Sequence, residues 1–147
     1  MALKLTWDDL LIQNFPKDKA ASWISEWAPL ISGTFYPVFM SKFGDWFLRR
    51  PDGTIELLDV LEGTLQTIAR TESEFVARVN NVQWQEEYLL SWLVYQLHED
   101  GKIPAEGECY GFAPHPTFGG QLNRQNVMVL EIGVWQSICS QTFYPRQ

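Results

Sequence analysis

The stretch "GDWFLRRPDGTIELLDVLEGTLQTIA", residues 44–69, decides the fold class. It consists of short apolar, β-branched and aromatic runs broken by turn residues. Pro51-Asp52-Gly53 ends the first run: proline presets its φ, aspartate bonds its own backbone, and glycine accepts a positive φ. Glu62-Gly63 separates the next pair. Connections this short join neighbouring strands, so "GDWFLRR", "TIELLDV" and "TLQTIA" are expected to form an antiparallel meander, with "TFYPVFM" (residues 34–40) as the strand before it.

Outward from the meander the period becomes helical. Upstream, Thr6 is placed to cap a short helix from Trp7, with Asp8 and Asp9 in the first turn and Pro16 as its stop. A second helix is predicted from about Asp18 to Pro29, with Ala21, Trp23, Ile24, Trp27 and Ala28 at helical spacing and the aromatics facing the core. Downstream, Thr71 and Glu74 form a capping-box pattern ahead of Phe75, Val76 and Val79. "VQWQEEYLLSWLVYQLHEDG" (residues 82–101) then reads as one helix. Its stripe is Trp84, Tyr88, Leu89, Trp92, Leu93 and Leu97, Glu86, Glu87 and Glu99 fall elsewhere, and Gly101 closes it. A strand "ECYGF", a Pro/Gly loop, a strand "VMVLEI" and a helix from about Val134 to Thr142 complete the chain. Helices, strands, helices, then strand and helix predict an α+β fold: a single domain over residues 1–147, with a mainly antiparallel sheet flanked by helices.

Composition bounds the function classes. At 147 residues, 46% apolar, the chain has material for one core and is not a disordered polypeptide. No run approaches the roughly 20 apolar residues of a membrane span, and Asp8 and Asp9 interrupt the N-terminus before a secretory hydrophobic region forms. An unexported, cytoplasmic protein is expected, and two cysteines suit a reducing compartment. Eleven basic against eighteen acidic residues give a net charge of -7. Between Val79 and Gly120 the acids are Glu86, Glu87, Glu99, Asp100, Glu106 and Glu108, against Lys102 alone. That balance disfavours direct nucleic-acid binding and suits a basic protein partner, although plain solubility also accounts for it.

No catalytic set emerges. Cys109, His115, Cys139 and His98 match no paired metal-ligand spacing, and neither histidine lies in a nucleophile motif. Glu86-Glu87 and Glu99-Asp100 are sequence neighbours, about 100° apart on a helix, and read as solvated faces. His98 reads as a solvated residue at a helix C-terminus. His115, between Pro114 and Pro116, is open to two readings, a contact to a ligand or partner and a plain loop residue. Phe118-Gly119-Gly120 lacks the lysine and helix start of a phosphate loop, so the two glycines are expected to serve backbone geometry. No enzyme activity, cofactor or metal is expected.

Two segments carry a resemblance. Tyr110, Gly111, Phe112, Pro114, Gly119, Gly120, Asn126 and Val127 in "ECYGFAPHPTFGGQLNRQNVMVLEIGVWQSICSQ", together with Phe43, Gly44, Asp45, Asp59 and Gly63, are similar to the motifs of a bacterial domain family found as immunity proteins of type VI secretion systems. The similarity spans about residues 34–142. It implies an α+β fold in the style of the SUKH class and a non-catalytic role: binding and neutralising a co-encoded toxin, some such toxins being nucleases. Longer members carry an extra N-terminal domain, which this chain, with little before Trp7, is expected to lack. His115-Pro116-Thr117 departs from the plainer, apolar loop of the family. Glu86, Glu87, Glu99, Asp100 and His115 are the candidate partner-binding residues. The alternative is a small-ligand-binding or regulatory module, with the Pro/Gly loop forming its pocket.

Overall fold

The computed structural model describes residues 4–145, so the ends of the expected 1–147 domain, residues 1–3 and 146–147, lie outside the described residues. Five strands form an antiparallel sheet in sequence order: β1 (Leu11–Ile12), β2 (Tyr36–Ser41), β3 (Trp46–Arg49), β4 (Ile55–Asp59) and β5 (Thr64–Ala69). The meander forms through the local chemistry of its turns. Asp52 Oδ1 accepts from the Thr54 amide at 3.0 Å and from its hydroxyl at 2.7 Å, and Gly53 takes φ +90°. The register sets Trp46 opposite Leu58 and Phe47 opposite Leu57, and all four are buried.

Around the sheet lie α1 (Trp7–Leu10), α2 (Lys17–Ser25), α3 (Glu72–Val79), α4 (Val82–Tyr88), α5 (Ser91–Glu99) and α6 (Ile132–Phe143). Strands β6 (Glu108–Phe112) and β7 (Val127–Glu131) pair only with each other, as an antiparallel ribbon that does not extend the main sheet. The ribbon is tied to the meander by the Tyr110 amide, which donates to the Lys42 carbonyl at 2.7 Å. An α+β fold dominated by antiparallel pairing is thus present.

Several sequence expectations are corrected. The first helix stops at Leu10, well short of Pro16, because Leu11 and Ile12 pair with Ser41 and Met40 and cover the edge of β2. Pro16 instead precedes α2 as its N-cap. Residues 82–101 are two helices, broken where Leu90 adopts the left-handed conformation at φ +51°. The break turns Leu89, Leu93, Val94 and Leu97 fully inward and leaves Trp92 41% exposed. Thr71 caps α3 by accepting from the Glu74 amide at 3.1 Å, while the Glu74 carboxylate turns to Arg78 rather than back to the cap. Val76 is half exposed. His98 is not solvated: its side chain is 9% exposed and its Nδ1 lies 4.0 Å from Asp9.

Candidate partner-binding surface

Part of the motif, Phe43, Gly44, Asp45, Tyr110, Gly111 and Phe112, is buried. Trp135 of α6 is fully buried and donates its indole N–H to the Phe43 carbonyl at 2.8 Å. The backbones of Gly44 and Gly111 press on that indole so closely that an added Cβ would lie 2.8 Å from ring atoms in each case. Next to it, the fully buried Gln136 accepts from Trp27 Nε1 at 2.8 Å and Trp46 Nε1 at 3.2 Å, and donates to the Gly44 carbonyl at 2.8 Å. One amide therefore joins the turn after α2, β3, the β2–β3 turn and α6, with its polar atoms satisfied. Gln136 escapes a sequence reading because its partners are 90 or more positions away; the only signal is a glutamine among Trp135, Ile138 and Cys139.

Asp45 sits in the same region. Its Oδ1 accepts from the Val60 amide at 2.9 Å, and Ser41 Oγ lies 3.4 Å from Oδ2. Burial, and then the charge of Asp59, push its carboxyl up to about 8, so it holds its proton at neutral pH. Asp59, at the end of β4, accepts from the Leu61 and Glu62 amides at 2.9 and 3.0 Å and shapes the turn into β5.

His115 is 5% exposed. Its Nδ1 accepts from the Thr117 amide at 3.1 Å, which leaves the proton on Nε2, 3.4 Å from the Val60 carbonyl oxygen. The ring packs beside Trp135 and Phe143, and burial holds its pKa below the ordinary histidine value. The residue anchors the Pro/Gly loop to the core. Gly119 follows in the left-handed region at φ +91°. The backbone of Gly120 comes so close to Pro114 that an added Cβ would lie 1.9 Å from its carbonyl oxygen.

The acidic candidates lie on the outside. Glu86 and Glu87 are exposed on α4, with no ion-pair partner among the described residues. Glu99 and Asp100 are also exposed, at the end of α5, but Arg124 reaches both: Nη2 is 3.5 Å from Glu99 and Nε 3.1 Å from Asp100. The structure thus holds two acidic pairs, one free and one partly neutralised. A further acidic feature was not expected. Glu106, Glu108 and Glu131 line a cleft of about 570 Å³ with Trp23 and Lys19, and Glu108 and Glu131 face each other across the ribbon. Glu108 Oε1 accepts from the Ala105 amide at 2.8 Å.

Both cysteines are buried free thiols. Burial raises their pKa well above the ordinary range, with Glu108 adding to Cys109 and Asp45 to Cys139. Among the described residues no group of three or more His, Cys, Asp or Glu is arranged to hold a metal ion, and no helix is long and apolar enough to cross a membrane.

The chain is thus an acidic α+β fold with Glu86, Glu87, Glu99 and Asp100 on its outside and Asp45 buried. The family of the T6SS immunity protein Tdi1, C-terminal region, matches residues 69–142, and the chain belongs to that family. The match begins at the end of β5 and runs through α6. Among solved structures, the crystal structure of Atu4351 from Agrobacterium tumefaciens is similar, with a TM-score of 0.60 at 13% identity over 90% of this chain and 67% of that one; the likeness is one of fold. No curated protein matches the chain.

Proposed function

We propose that this protein is a non-catalytic immunity protein that binds a co-encoded bacterial toxin in the cytoplasm and covers its active site or substrate groove. Membership of the type VI secretion immunity family carries the reading. The charge distribution refines it. A nuclease presents a basic surface to its substrate, and a partner of net charge -7 with unpaired exposed carboxylates is drawn to such a surface. Glu86 and Glu87 are the foremost contact candidates because no internal cation holds them. Glu99 and Asp100 contribute through charge not fully taken up by Arg124, and His115 by fixing the loop that follows β6.

The test is binding kinetics against the toxin encoded beside the protein, at low and high salt. Glu86→Lys/Glu87→Lys should slow association by about tenfold or more at low salt and flatten its salt dependence, with the fold intact, since exposed charges govern encounter more than folding. Unchanged kinetics in the folded variant would remove α4 from the interface.

A further inference from the structure

A groove of about 340 Å³ runs along the outer edge of the main sheet, between residues 66–70 on one side and Glu74, Arg78, Trp84 and Tyr88 on the other. Three observations distinguish it from the acidic surfaces. First, β5 is the last strand in the sheet order, so among the described residues no strand pairs with its outer edge. Second, Trp84 is 7% exposed and its buried indole Nε1–H has no acceptor. A buried donor left unpaired is costly, and an acceptor entering from the groove would relieve it. Third, the groove holds one unpaired cation. Arg78 is paired with Glu74 at 2.7 Å, which offsets that carboxylate, whereas Arg70 is exposed and has no ion-pair or hydrogen-bond partner among the described residues.

We infer that this groove is a docking site for an extended acidic segment of a partner protein, which adds to the sheet beside β5, presents a carboxylate to Arg70 and supplies an acceptor to Trp84 Nε1–H. Main-chain pairing with an edge strand gives affinity, and the side-chain pockets give selectivity. The carboxylate sits at the Arg70 end, because Glu87 lines the adjoining recess on the other side of Trp84 and repels a second anion there. The inference does not depend on the toxin reading. A basic toxin surface would meet the exposed glutamates, whereas this groove selects the opposite charge.

The test is a titration of the isolated, ¹⁵N-labelled protein with an acetylated and amidated pentapeptide of sequence TVEVT, followed by two-dimensional NMR. One of the seven indole N–H resonances, the one absent from Trp84→Phe, should move together with the backbone amides of residues 66–70. If Trp84→Phe does not fold, nuclear Overhauser contacts to the Phe47 and Phe75 rings, 5.8 and 6.2 Å away between centroids, assign the same resonance. Arg70→Ala, or glutamine in place of the peptide's glutamate, should weaken binding about tenfold, as expected for loss of a charge-assisted bond. An indole and edge amides unmoved at about 10 mM peptide, a concentration that detects millimolar affinity, would overturn the inference. So would sodium acetate moving the indole while the β5 amides stay still, which would mark a small-anion pocket with no strand addition.

Discussion

Asp45→Asn should make the protein more stable at neutral pH, although it alters a buried residue with native hydrogen bonds. In the folded state burial and the Asp59 charge push the Asp45 carboxyl up to about 8, against an ordinary value of 3.8 when the chain unfolds. Because the folded value is the raised one, the folded state binds more protons between about pH 4 and 8. The stability this group supports is therefore fully present below about pH 4, is lost as pH rises through that window, and levels off above it. At about 1.4 kcal/mol per unit, the three or so units up to pH 7 set a penalty on the order of 4 kcal/mol. Asparagine has the shape of the protonated acid. Its Oδ1 can accept from the Val60 amide, 2.9 Å away, and its Nδ2 can donate toward Ser41 Oγ, 3.4 Å from the atom it replaces, while it never ionises. Urea unfolding at a series of pH values from 4 to 9, followed by tryptophan fluorescence, should show the variant a few kcal/mol more stable at pH 7, with the gap closing toward pH 4. A variant that keeps the wild-type pH dependence between pH 4 and 8 would show that Asp45 does not hold its proton in the native protein and would refute the reasoning.

The adjacent glycines should fail for different reasons. Gly119→Ala meets open space and bears only left-handed strain, about 1–2 kcal/mol, whereas Gly120→Ala drives a methyl into the Pro114 carbonyl and should lose about 3 kcal/mol or more, both read by chemical denaturation. Cys109 and Cys139, buried and with raised pKa, should resist a disulfide reagent in the folded protein at pH 8 and react fully in guanidinium; either thiol reacting natively at the rate of free cysteine would contradict their placement.

The meander was legible because its determinants are local. Pro51-Asp52-Gly53 makes its turn from its own atoms, and Thr71 caps α3 from three residues away. What escaped depends on distant partners. The strand Leu11–Ile12 exists through its pairing with Met40 and Ser41, a contact no two-residue run announces. The break at Leu90 is hidden because both halves of 82–101 keep an apolar period, and only three-dimensional packing decides that Leu89 turns inward while Trp92 turns out. Of the candidate contact residues, the exposure of Glu86 and Glu87 could be read from helical spacing. The hold of Arg124 on Glu99 and Asp100 and the insertion of the His115 ring between Trp135 and Phe143 could not, since each spans 20 or more positions. Phe43, Gly44, Gly111 and Gly120 stood out as motif residues, and the structure gives them a common physical reason in the packing around α6 and the His115 loop.

The most direct measurement is to mix the purified protein with the purified toxin encoded beside it and record complex formation by calorimetry and toxin activity on its substrate in the same samples. A saturable complex of fixed stoichiometry, with activity lost in step with its formation and binding weakened by salt, is the expected result. A toxin that neither binds the folded protein nor loses activity in its presence would contradict neutralisation by direct contact.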